Sequence, residues 1–142
     1  MVPIVLRTAA GLRGPIRIHG GDWSTPDGSC IRDYIHVLDL AAAHVKSLEW
    51  MARQPDDSLI EILNVGTGRG TSVREALAAF ERATGRPVAF EVGDRRDGDI
   101  EQIYASVDRA EERLGWKAER SIDEAMRDAW RWQQRLMEEG RD

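Results

Sequence analysis

At 142 residues, with 42% hydrophobic and 32% charged side chains, the chain has the composition of an ordinary globular domain and is long enough to bury a core. Its formal net charge of −5, with basic residues scattered among acids as in Asp94-Arg95-Arg96-Asp97, argues against a nucleic-acid surface, which needs a clustered positive face. No apolar run approaches the ~20 residues that span a bilayer, and the lone Cys30 excludes an internal disulfide.

Along the chain, Met1 to Leu6 is too short and too soon followed by Arg7 for a signal peptide, so a cytoplasmic protein is expected. Pro3 to Leu12 reads as a helix ended by the breaker pair Gly14-Pro15. Ile16-Arg17-Ile18-His19 alternates before Gly20-Gly21, which predicts a short strand. Val37, Leu40, Ala41, His44, Val45, Leu48, Met51 and Ala52 recur at helical spacing and predict a helix burying that face, with Asp39 favouring its start. Ile60 to Val65 reads as a buried strand closed by Gly66-Thr67-Gly68-Arg69-Gly70. Ser72-Val73-Arg74-Glu75 and Ser121-Ile122-Asp123-Glu124 are capping boxes that open two further helices. The first should bury Val73, Ala76, Leu77 and Phe80; the second Ile122, Ala125, Met126, Ala129, Trp130, Leu136 and Met137. Val88 to Val92 and Ile100 to Ala105 predict strands, and Asp108 to Leu114 a short helix ending at Gly115-Trp116. The fold class is α/β.

Several residues carry chemistry of their own. Arg32, beside a helix start, suits a bidentate grip on a phosphate, or else a local ion pair with Asp33 or Asp27. Arg95-Arg96-Asp97-Gly98-Asp99 reads either as an anion clamp whose carboxylates accept ribose hydroxyls or as a solvated charged loop. His36 has no nucleophile or partner motif around it and, with Asp33 and Tyr34, is taken as structural. Gly66 to Thr71 imitates a dinucleotide loop after a strand, but the third glycine of Gly-x-Gly-x-x-Gly is replaced by Thr71. Asp27, Asp33, Asp39 and His44 are too loosely spaced for a metal site, and the tryptophans read as architectural.

The run Thr25 to Leu40, and within it Arg32-Asp33-Tyr34-Ile35-His36-Val37, closely resembles the corresponding block of UDP-glucose 4-epimerases, which are extended short-chain dehydrogenases. The likeness continues through Asn64 to Gly70, Arg96-Asp97-Gly98-Asp99, Glu112 to Lys117 and Arg127 to Trp132, essentially the whole chain. Sugar-nucleotide dehydratases of the same superfamily usually carry Arg-Asp-Trp where this chain has Arg32-Asp33-Tyr34. The resemblance implies one domain over residues 1–142: the C-terminal, substrate-binding part of an NAD-dependent epimerase, with the last strand and helices of its Rossmann half. It implies that Arg32 and Arg96 contact the diphosphate of a UDP-sugar and Asp99 the ribose. Arg17, Ile18 and His19 would line the uracil site largely through backbone, with His19 in place of the usual aromatic. Ile103, seven residues beyond Arg96, would border the sugar.

In such enzymes NAD oxidises the C4 hydroxyl, a tyrosine takes the proton, and the keto-sugar rotates before hydride returns. The NAD loop and the Tyr-x-x-x-Lys pair of the family are not found here: Tyr34 is followed four residues on by Leu38, and Tyr104 by Asp108. The resemblance therefore implies no catalytic residue and no metal in this chain, and NAD as the full-length family's cofactor, not expected to bind here alone. The Arg32 to Met51 segment and the Ile60 to Val65 strand would pack against an NAD-binding half, or else drive self-association. Three functions compete: part of a split or truncated epimerase, a non-enzymatic sugar-nucleotide-binding module, and an inactive remnant.

Overall fold

Serines set the starts of the two main core helices. In the computed structural model, which describes residues 1–55 and 58–141, Ser72 and Ser121 each accept the backbone N–H of the glutamate three residues on, and Glu75 and Glu124 return the bond. The elements run α1 (Val2–Ala9), β1 (Ile16–His19), β2 (Ile31–Arg32), α2 (Val37–Met51) and β3 (Thr71–Ser72), then α3 (Val73–Thr84), β4 (Phe90–Gly93), α4 (Asp108–Leu114) and α5 (Ile122–Glu138). This is the expected α/β class.

The stripes read for α3 and α5 face each other and close over β1. Val5, Ile18, Phe80, Met126 and Trp130 are buried together there, with Phe80 edge-on to Trp130 at a centroid distance of 5.7 Å. A second, smaller cluster of Ala43, Ala110, Leu114 and Trp116 joins α2 to α4. β1 pairs in parallel with β4, and β2 pairs antiparallel with β3.

Four expectations are corrected. Residues 60–65 form no strand, and Ile60 and Ile62 are 84% and 75% exposed. A strand's backbone bonds must come from a neighbour, and no described strand lies beside this one. Residues 100–105 likewise shrink to a single parallel bridge between Ile31 and Gln102. On α2 the periodicity holds, but the apolar stripe points outward: Val37, Val45, Leu48 and Met51 are all more than half exposed, while Asp39 and Ala43 face in. The strand read at Val88 is entered two residues later, at Phe90.

The inward carboxylate of Asp39 ties α2 to the rest. It accepts the backbone N–H groups of Glu119 (3.2 Å) and Arg120 (2.9 Å) and the Arg120 guanidinium, while its own carbonyl accepts the Trp116 indole N–H. Burial pushes its carboxyl up, but the bonds from Arg120 and Glu119 outweigh this and hold it below its ordinary 3.8. That stabilisation is complete above pH ~4 and is lost as pH falls through the lowered value, because the unfolded state then binds the extra proton. Asp39→Asn should lower stability by about 3 kcal/mol at neutral pH, measured by urea unfolding, by turning one acceptor face into a donor opposite buried donors. An unchanged midpoint would show that Asp39 does not hold this junction.

Candidate functional site

The site is built on a segment held by carboxylates. Asp27 accepts the N–H (2.9 Å) and hydroxyl (2.7 Å) of Ser29 and the hydroxyl of Ser72. Burial raises its carboxyl, but these hydroxyl and backbone bonds leave it below the ordinary value. Asp33 accepts the Thr67 N–H (2.9 Å), the Thr67 hydroxyl (2.6 Å) and the Ala105 N–H (3.2 Å). A Cβ on Gly66 would overlap the Asp33 carboxylate, so only glycine lets the 66–70 turn come this close.

These bonds decide what the glycine-rich turn can do. At the start of α3, Val73 N–H donates to the Cys30 carbonyl, Arg74 N–H to the Ser29 hydroxyl and Glu75 N–H to the Ser72 hydroxyl. A pyrophosphate at a helix N-terminus needs those donors free. Here the Val73, Arg74 and Glu75 donors are taken by the chain itself. Among the described residues no group of three His, Cys, Asp or Glu side chains is placed to hold a metal.

A separate cluster of basic residues includes Arg32 of β2. A cleft of about 400 Å³ is lined by Arg17, Ile18, His19, Arg32, Arg96 and Asp99, six of the seven residues singled out from the sequence. Ile103 is not among them. It borders a separate shallow cavity that shares Arg32, is 55% exposed, and donates its N–H to the Ile31 carbonyl at 3.1 Å. Arg13 also lines the cleft and went unremarked in the sequence; a single basic residue between Leu12 and Gly14 gives no signal of where its loop folds back.

The wall formed by β1 presents backbone as well as side chains. Ile16 and Gly20 both send their N–H groups toward β4, to the carbonyls of Ala89 and Gly93. Alternation therefore turns the N–H and C=O of Arg17 and His19 to the opposite edge, where no described strand pairs. The His19 carbonyl is taken by the Trp23 indole N–H at 3.1 Å. The Arg17 carbonyl and the His19 N–H remain as an adjacent acceptor and donor.

The cleft is basic although the chain is acidic. Arg13, Arg17, Arg32 and Arg96 face one carboxylate, Asp99. Arg32 forms neither of the ion pairs considered for it; its guanidinium donates to the Ile31 carbonyl at 2.7 Å. Arg96 pairs with Asp99 at 2.7 Å, and this bond holds the Asp99 carboxyl below its ordinary range, with smaller pulls from Arg32 and His19. Arg13 and Arg17 have no ion-pair partner among the described residues.

The remaining polar residues of the block are structural. His36 caps α2: its Nδ1 accepts the Leu38 N–H at 3.1 Å, which puts the ring proton on Nε2, facing Asp128 at 3.3 Å. Burial pushes the Tyr34 phenol up to about 12, against a smaller pull from Arg32, and its hydroxyl donates to the Met1 sulfur.

Comparison with known proteins agrees on one family of folds. The family described as GDP-mannose 4,6 dehydratase matches residues 1–129. The chain is 46% identical over 134 residues to UDP-glucose 4-epimerase 2 of Arabidopsis thaliana, covering 93% of this chain and 37% of that protein. It is 42% identical over 133 residues to the UDP-glucose 4-epimerase of Drosophila melanogaster, covering 94% of this chain and 38% of that one. Among solved structures, the UDP-glucose 4-epimerase of Stenotrophomonas maltophila with bound NAD and formylated UDP-arabinopyranose superposes with a TM-score of 0.91 at 41% identity, over 97% of this chain and 40% of that chain. The Bifidobacterium longum enzyme in complex with NAD+ and UDP gives a TM-score of 0.86 at 40% identity, over 94% and 39% of the two chains. The chain thus spans under half the length of the proteins it matches.

The half-buried phenol of Tyr34 gives a direct check of this geometry. An absorbance titration should show a tyrosine ionising only near pH 12, and Tyr34→Phe should remove that step. Because an unfolded phenol ionises near pH ~10, stability should be complete below that pH and fall as pH rises toward 12. Ionisation of Tyr34 near 10 would contradict its burial.

Proposed function

Since the chain belongs to the family described as GDP-mannose 4,6 dehydratase, with UDP-glucose 4-epimerases as its similar relatives, we propose that it is the UDP-sugar-binding portion of a UDP-glucose 4-epimerase. The observation that carries the reading is the single cleft shared by Arg32 and Arg96, which lie 64 residues apart in sequence.

In this reading the diphosphate sits between the two guanidinium groups, each offering charge-assisted donors to phosphate oxygens. Asp99, kept ionised beside Arg96, accepts ribose hydroxyls. The Arg17 carbonyl and the His19 N–H meet a base edge that offers one donor and one neighbouring acceptor, as the N3–H and a carbonyl of uracil do. The His19 ring takes the position of the family's aromatic and still offers a face for stacking. Ile103 borders the sugar from beyond Arg32. All the strong contacts are then on the nucleotide, and the sugar is left free to turn.

Interconversion of UDP-glucose and UDP-galactose through a 4-keto intermediate needs a hydride carrier. The Thr67 and Arg69 N–H groups of the turn and the donors at the start of α3 are committed within the chain, and this reading assigns NAD, with the catalytic tyrosine and lysine, to residues outside these 142. The outward stripe of α2 and the exposed Leu59, Ile60 and Ile62 suit the packing of such an NAD-binding half. A cytoplasmic site is part of the same reading, in keeping with the single buried thiol of Cys30.

Calorimetric titration with UDP should detect binding, weakened roughly tenfold or more by either Arg32→Ala or Arg96→Ala. No binding by the folded chain, or variants that bind as the wild type does, would sink the proposal. Combined with the NAD-binding half of a UDP-glucose 4-epimerase, the chain should support turnover of UDP-galactose. Leu48→Asp, on the exposed stripe of α2, should abolish that turnover while leaving the Tm of the isolated chain unchanged. Full activity in this variant would show that the stripe is not the contact.

A further inference from the structure

We propose that Arg95 is a positioning residue for the nucleotide clamp: it fastens the 94–99 loop to Trp23 so that Arg96 and Asp99 stay aligned with the exposed edge of β1. The proposal rests on the nucleotide reading of the cleft given above. Arg95 does not line that cleft; its guanidinium points the other way. Its Nε donates to the Asp22 carboxylate at 2.8 Å and a terminal nitrogen donates to the Asp22 carbonyl at 2.7 Å. Its guanidinium also lies over the Trp23 indole, 4.1 Å from the ring centroid.

Trp23 completes the connection. Its indole N–H holds the His19 carbonyl at 3.1 Å, at the end of the strand that presents the base-reading groups. Gly20 is fitted to this stack: a Cβ there would overlap the indole nitrogen and lie 3.0 Å from Arg95 Cγ. The line from His19 through Trp23 to Arg95 therefore joins the two walls of the cleft by contacts that touch no ligand.

The loop has little else to hold it. Asp94 to Gly98 are exposed, and inside the loop the bonds are local, from Asp99 N–H to the Arg96 carbonyl and from Arg96 to Asp99. The next outside ties are at Glu101, whose carbonyl accepts the Ile31 N–H at 2.9 Å and whose carboxylate accepts the Ser24 N–H at 3.2 Å, beyond Asp99. Arg96 is the immediate neighbour of Arg95, so releasing Arg95 leaves the phosphate-facing guanidinium in place chemically but no longer pre-organised.

The test compares UDP with uridine on the full chain, by calorimetry for UDP and by chemical-shift titration for the weaker uridine, in the wild type, Arg95→Ala, Arg95→Lys and Arg96→Ala. The expected result is a UDP-to-uridine affinity ratio reduced about tenfold in Arg95→Ala, as in Arg96→Ala, with a smaller loss of uridine affinity through Asp99 and an unchanged Tm. Arg95→Lys should fail to restore the ratio, because a lysine keeps the charge but lacks the planar fork that reaches Asp22 while stacking on Trp23. If Arg95→Ala lowers Tm, the lysine variant decides. A wild-type ratio in the deciding variant, or an equal loss for UDP and uridine, overturns the positioning role. Absence of UDP binding in the wild type removes the nucleotide reading itself, and this inference with it.

Discussion

The structure depends on three aspartates, Asp39 buried and Asp27 and Asp33 half-buried, set against backbone and hydroxyl donors. Asp27, Asp33 and Asp39 fall at intervals of six residues in one segment, and each reaches a different distant part of the chain. Asp27 reaches the start of α3, Asp33 the 66–70 turn and the stretch before α4, and Asp39 the turn before α5. A carboxylate can accept several N–H and O–H bonds at once, so three short side chains gather segments that have few strands to pair them. Their desolvation is compensated only while the partners stay in place, which makes the arrangement cooperative.

That economy shapes the site. The start of an α3-type helix after a glycine-rich turn ordinarily offers backbone donors to an anion, but here Thr67, Arg74 and Glu75 give theirs to Asp33, Ser29 and Ser72. The basic groups of the cleft are guanidinium groups reaching from separate elements. Arg32 comes from β2, beside the Asp33 anchor, and Arg96 from the loop after β4. A grip of this kind is only as exact as the loops that carry it, so the packing behind Arg96 matters as much as Arg96 itself.

The outward faces follow from a difference between helix and strand. α2 satisfies its backbone within itself, so it persists with Leu48 and Met51 bare to solvent. Residues 60–65 carry an apolar pattern just as clear, but their backbone bonds must be supplied from beside them, and no described strand does so. The same amphipathic information thus produces a helix in one place and a segment without regular structure in the other. Together they leave an apolar surface of the kind that another folded unit covers.

Local rules were enough for much of the chain. The capping boxes at Ser72 and Ser121, the stripes of α3 and α5 and the alternation of β1 act within a few residues, so the amino-acid order alone determined those elements and the α/β class. It also pointed to groups able to meet an anion, Arg32 beside a helix start and the 95–99 run beside a glycine turn, though not to Arg13. Which way an amphipathic face points was not determined locally, as α2 shows, since facing in or out depends on what lies opposite. Tertiary structure alone brought Arg32 and Arg96 to one cleft with Arg13 beside them, left Ile103 outside it, and turned Arg95 away onto Trp23. Those outcomes rest on contacts between residues tens of positions apart, which no local pattern encodes.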